Sequence, residues 1–127
     1  MQANRSRDTE PEMAVRRLLH KRGLRYRVCI APDPKIRRRA DIVFTRHRIA
    51  VFIDGCFWHG CPDHGRKTFN RNVDYWSTKI ATNIARDQDT NETLRQAGWT
   101  VLRFWEHQDV TTVVQTIVEA VVLSRLA

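Results

Sequence analysis

Two runs of β-branched and apolar residues, Asp41–Thr45 (DIVFT) and Ile49–Ile53 (IAVFI), are separated only by Arg46-His47-Arg48. Runs of this composition favour strands, and a connection this short reads as a hairpin. The hairpin has a positional consequence. Asp41 opens its first strand and Asp54 follows its second, so both acids fall toward the same end of the sheet.

The remaining elements follow from periodicity and punctuation. Thr9 and Glu12 fit a capping box, with Pro11 tolerated in the first turn. Ala14, Val15, Leu18 and Leu19 repeat at helical spacing, and Gly23 ends the run. Leu24–Ile30 reads as a strand, followed by a basic, proline-containing connection. Beyond the hairpin comes a polar loop, DGCFWHGCPDHGRKTFNRN. Asp74 is placed to cap a long helix reaching about Ala97, with Trp76, Ile80, Ile84 and Leu94 toward the core and Gly98 as its stop. Trp99–Glu106 reads as a strand and Val110–Leu126 as an amphipathic helix. The order α-β-β-β-α-β-α implies an α/β fold, a mixed sheet flanked by helices. No repeat or linker divides the chain, and residues 1–127 are read as a single domain.

Charge is unevenly spread. Residues 1–48 hold 14 basic and 5 acidic side chains, whereas the remainder holds 8 basic and 9 acidic. A basic third on a neutral body suits a polyanion, and a solvated surface is the alternative. No apolar stretch approaches the roughly 18 residues of a spanning helix. The polar first residues, MQANRSRDTEPE, lack the apolar region of a signal peptide. A cytoplasmic protein with no membrane association is therefore expected.

Several residue groups carry chemistry. A lone Asp41 at a strand start would ordinarily be a turn acid. With Asp54 at the same sheet end and Arg37-Arg38-Arg39 beside it, it becomes a candidate for a hard cation such as Mg²⁺, which phosphodiester hydrolysis uses. Glu12 reads either as a cap or as a further acid of that site. Cys56, Cys61 and His64 lie within nine residues and suit tetrahedral Zn²⁺. His107, just past a strand end, is the candidate fourth ligand. His59 is then left over as a general base or metal-water partner. Phe57 and Trp58 are either core anchors or an aromatic wedge for DNA. On the long helix, Lys79, Asn83, Arg86 and Asp87 form a polar stripe. It is either solvated or set against DNA, with Lys79 and Arg86 on phosphate and Asn83 on a base edge.

Taken together, RDTEPE at 7–12, GCFWH at 55–59 and YWSTKIATNIARDQDTNETLRQAGWTVLRFWEH at 75–107 resemble the very short patch repair (Vsr) endonucleases. The resemblance covers about residues 5–107. It implies a restriction-endonuclease-like core with a structural zinc site. It also implies Mg²⁺-dependent nicking of double-stranded DNA beside a T·G mismatch; because a nick needs one active site, a monomer is expected. By the same resemblance Asp41 and the Ile53 carbonyl hold the metal. Glu12 and His59 hold its waters or assist proton transfer. Phe57 and Trp58 form the wedge, and Lys79 and Asn83 approach the mismatch.

The chain departs from the best-known members in places. Asp54 stands where they have histidine, and an aspartate replaces an imidazole at neutral pH only with a large pKa rise. Asp54 is therefore read either as a second metal carboxylate or as a catalytic acid that, with His59, positions or deprotonates the attacking water. Cys61 takes a position usually held by histidine, His64 is displaced by one residue, and His107 stands where cysteine is expected. All of these keep ligand atoms. Little of the family's basic N-terminal arm precedes Asn4. Two alternatives accompany this reading: a restriction or defence nuclease without mismatch selectivity, and a non-catalytic zinc-stabilised DNA-binding module.

Overall fold

The structure, a computed structural model, describes residues 10–33, 35–55 and 73–126. Helix α1 spans Glu10–Lys21, with acids in its first turn and His20 and Lys21 in its last, matching the helix dipole. Its buried stripe is Glu12, Val15 and Leu19, so a carboxylate continues the line of apolar side chains. Gly23 ends the helix at φ 80°, and Leu24 N donates to Leu19 O at 3.2 Å.

Strands β1 (Arg27–Ile30), β2 (Ala40–Phe44) and β3 (Ile49–Asp54) follow. Helix α2 covers Val73–Gln96, strand β4 Thr100–Trp105 and helix α3 Val110–Leu126. The sheet order is β1-β2-β3-β4. The first three strands are antiparallel neighbours, and β4 lies parallel to β3. A parallel pair needs a crossover connection, which is where α2 falls. Gly98, at φ 92°, turns the chain out of α2, with Trp99 N on Leu94 O at 2.9 Å. Asp109 caps α3 through Thr112 N at 3.0 Å.

The fold has three layers. On one side of the sheet, Val15 and Leu19 of α1 and Val113, Val114, Ile117 and Val121 of α3 meet Ile42, Phe44, Ile49, Val51 and Phe104. On the other, Leu94 and Trp99 cover Ala40, Val43, Ala50 and Phe52. Because both faces are covered, the hairpin strands are apolar at nearly every position rather than alternating. Tyr26 joins α1 to the sheet. Its hydroxyl donates to Arg16 O at 2.9 Å, and its ring meets Phe44 edge-on with centroids 6.0 Å apart.

Four expectations need correction. Ile84 was expected in the core but is 36% exposed, since α2 buries Ile80 and Leu94 on another line of its surface. Asp74 does not precede α2, which already includes Val73. The first strand begins at Arg27, not Leu24. Cys29, which reads from the sequence as a buried strand residue, does lie in β1 but is only half-buried, with φ 52°.

The two α2 positions make a direct test. Leu94→Ala should lower stability by about 2–5 kcal/mol in urea unfolding, and Ile84→Ala by less than about 1 kcal/mol. Equal losses would contradict this orientation of α2.

Candidate active site

The site is assembled at the end of the sheet where β2 begins and β3 ends. Backbone pairing of β2 with β3 runs from Phe44–Ile49 to Ile42–Val51. One step further, the Asp41 side chain takes over, its Oδ2 accepting from Ile53 N at 2.6 Å. The hairpin thus brings Asp41 to the backbone of Ile53, twelve residues away in sequence.

Glu12 arrives from α1. It is 2% exposed, and an ionised carboxylate that deep requires a partner. Arg16, one helical turn on, supplies it through a close Nη2–Oε2 ion pair. Asp54 arrives from the end of β3 and is 8% exposed. Arg103 of β4 holds it, Nη1 lying 3.0 and 2.9 Å from the two carboxylate oxygens.

The three acids therefore differ in one decisive respect. Glu12 has Arg16 and Asp54 has Arg103, whereas among the described residues Asp41 has no ion-pair partner. Its carboxyl is pushed up to about 7, from 3.8. Burial is the largest cause, and the charges of Glu12 and Asp54 add to it. The Ile53 N–H and, more weakly, Arg103 oppose the rise. A cation set against Asp41 would favour its ionised form and so offset the raising causes. Its donors here are oxygens, the type a hard divalent ion takes. Mg²⁺ commonly uses one or two carboxylates and keeps several waters. Among the described residues no set of three or more His, Cys, Asp and Glu forms a complete metal cage. The residues fit a partly hydrated hard cation better than an all-protein cage.

Helix α2 closes the site from the other side. Arg38, three residues before Asp41, donates from Nε to Thr90 Oγ1 at 2.9 Å and from Nη2 to Asp89 Oδ2 at 3.2 Å. Thr90 is buried and donates in turn to Arg86 O at 2.8 Å. Arg103 Nε donates to Asn91 Oδ1 at 2.6 Å.

Glu12, Asp41, Ile53 and Asp54 are thus brought together. Lys79 and Arg86 are exposed on α2, Asn83 is half-buried, and His107 is exposed beyond β4. Cys56, Phe57, Trp58, His59, Cys61 and His64 lie outside the described residues. Both carboxylate oxygens of Asp54 lie within hydrogen-bond distance of Arg103 Nη1. Sequence reasoning missed Arg103, Asn91 and Arg16. A signal existed for Arg103: it is a lone cation between Leu102 and Phe104 inside a strand.

A family model described as DNA mismatch endonuclease Vsr matches residues 1–64. The Type II nicking enzyme V.NaeI of Lentzea aerocolonigenes is 48% identical over 121 residues, 94% of this chain and 72% of that protein. The chain belongs to the Vsr family of DNA endonucleases. The Type II nicking enzyme V.NmeDIP of Neisseria meningitidis serogroup C is 40% identical over 111 residues, 87% of this chain and 73% of its own. The DNA mismatch endonuclease Vsr of Escherichia coli is 35% identical over 106 residues, 84% of this chain and 66% of its own. Membership of Vsr implies the restriction-endonuclease-like core, with which the observed sheet and flanking helices agree. It also makes the chain an enzyme, so a non-catalytic DNA-binding module is set aside. Among the described residues no helix is long and apolar enough to cross a membrane.

The raised Asp41 carboxyl has a consequence for stability. The native state keeps a proton that the unfolded chain releases, so this group's contribution falls as pH rises from about 4 to about 7. Without divalent cations, the melting temperature of Asp41→Asn should exceed that of the wild type by a margin growing from about pH 4.5 to about 7.5, then levelling. A margin independent of pH would contradict the raised value.

Proposed function

We propose that this Vsr-family enzyme nicks one strand of double-stranded DNA beside a T·G mismatch, using Mg²⁺ at Asp41 and the Ile53 carbonyl. The observation that carries the reading is the state of Asp41: half-buried, fixed on Ile53 N–H, and, among the described residues, the acid of the three that has no ion-pair partner. The printed names of relatives, Type II nicking enzymes and a DNA mismatch endonuclease, support nicking and the mismatch respectively.

When bound, Mg²⁺ supplies charge neutralisation at the scissile phosphate and a lowered pKa for water. Asp41 and the Ile53 carbonyl hold it at the sheet end. Glu12, fixed by Arg16, orients solvent there. His59 takes the proton of the attacking water. Phe57 and Trp58 enter the base step at the mismatch. Lys79 and Arg86 contact phosphate and Asn83 reads a base edge, consistent with the exposure of the two cations on α2.

Zn²⁺ on Cys56, Cys61, His64 and His107 holds the loop that carries the wedge. The parallel register is compatible with the pairing of the first and last of these. Asp54 pairs with Trp105, so β3 exits two residues before Cys56 beside β4, which exits two residues before His107. One domain, residues 1–127, acts as a monomer inside the cell, since a nick requires one active site.

A second reading, a restriction or defence nuclease lacking mismatch selectivity, is favoured by one observation: an Asp54–Arg103 ion pair occupies the place where an imidazole was expected. Two measurements test these readings. Asp41→Asn should slow Mg²⁺-dependent nicking at least about a hundredfold, with fold retained by circular dichroism. On duplexes of one sequence, a T·G pair should be nicked at least about tenfold faster than T·A, with zinc content read on the same sample. Equal rates on the two duplexes would leave the unselective nuclease as the surviving reading.

A further inference from the structure

Arg103 is an unusual side chain for its place. It stands inside β4, opposite Phe52 in the parallel register, among side chains that are mostly apolar. Its guanidinium carbon lies 4.0 Å from the Phe52 ring centroid. Nε is fixed on Asn91 at 2.6 Å, and Nη1 lies 3.7 Å from Asp87 Oδ1. The same Nη1 meets both oxygens of Asp54. The Arg103 side chain is 18% exposed and that of Asp54 11%.

Burying such a set is a poor way to gain stability. Desolvation offsets much of the attraction, and apolar replacements of similar volume are often neutral or better. What the network does achieve is direction. A planar guanidinium gripped by a ring, an amide and a carboxylate of α2 has little rotational freedom left. The Asp54 carboxylate therefore has one orientation. Its backbone follows Ile53 directly, and the charges of both Asp54 and Arg103 reach Asp41.

We propose that Arg103 is a positioning residue of the active centre: clamped by Asn91, Asp87 and Phe52, it fixes Asp54 and limits the negative charge that the Asp41 end of the sheet presents to a divalent cation. The inference rests on the metal reading above. It assigns Asp54 to an oriented electrostatic role through Arg103, in place of direct ligation. It also makes α2, the helix proposed to approach DNA, a mechanical neighbour of the cation site.

Charge and geometry are separable by experiment. The full chain is prepared as wild type, Arg103→Gln, Arg103→Lys and Asn91→Ala. Mn²⁺ affinity is measured without DNA by electron paramagnetic resonance. Single-turnover nicking of a T·G duplex is measured at saturating Mg²⁺, and thermal unfolding is recorded for each protein. Arg103→Gln should bind Mn²⁺ about tenfold more tightly, having lost a cation beside the acids, yet nick at least about tenfold more slowly. Arg103→Lys should return Mn²⁺ affinity to the wild-type value but not the rate, because an ammonium cannot reproduce the clamped fork. A merely structural role predicts the opposite pairing, with affinity and rate falling together.

Unchanged or weaker Mn²⁺ binding in a folded Arg103→Gln protein overturns the inference, as does a wild-type rate. If that variant does not fold, Asn91→Ala decides. Both charges then remain and one clamp is lost, so Mn²⁺ affinity should hold while nicking slows several-fold. An unaltered rate overturns the proposal. A wild type that neither binds Mn²⁺ nor nicks overturns the metal reading itself, and this inference with it.

Discussion

Moving a carboxylate out of water is costly unless something of opposite charge or a set of N–H donors comes with it. At the end of this sheet the fold does so three times within electrostatic reach. Arg16 compensates Glu12 and Arg103 compensates Asp54, both in the same structure that buries them. Among the described residues Asp41 receives the Ile53 N–H and only the weaker, more distant charge of Arg103. The local structure is consequently incomplete in charge, and the incompleteness sits where two strands stop pairing and the backbone of β3 becomes available. A site of this kind is a cost to the apo-protein, and such costs are commonly found where function needs them.

The rest of the architecture can be understood as what keeps that point rigid. Two covered faces hold the hairpin strands in place, and a change in the register that delivers Asp41 to Ile53 would have to repack the apolar side chains on both sides of the sheet. α1 must lie against the sheet for Glu12 to be buried, and Tyr26 ties it there. α2 must return across the other face for β4 to run parallel to β3, and this return carries Asn91, Thr90 and Asp87 to Arg103 and Arg38. The same crossover that satisfies topology thereby supplies the polar contacts that orient the site.

Much of this was legible in the amino-acid sequence. Hairpin, helix stops and element order follow from local chemistry: β-branched runs, the glycines at 23 and 98, and helical periodicity in 110–126. Asp41 was identifiable as a site candidate because an acid opening an apolar strand beside a basic run is locally anomalous, whereas Glu12 stood open between cap and site, and its place on the buried line of Val15 and Leu19 is seen only in the structure. Ile84 was misread because α2 is largely polar, so a single apolar residue does not define its buried line. The ion pair of Asp54 with Arg103 was not legible in the sequence, because the two are 49 residues apart and no local pattern links them.

The sequence by itself determined the elements, the family and the sheet end at which the acids gather, because each depends on residues near one another in the chain or on a contiguous motif. Only the tertiary structure decided which acid is left uncompensated. That depends on the pairing of Glu12 with Arg16, of Asp54 with Arg103, and of neither with Asp41. Burial and ion pairing at this point are properties of several strands and helices converging, and their energies are set by distance through space, not by separation along the chain.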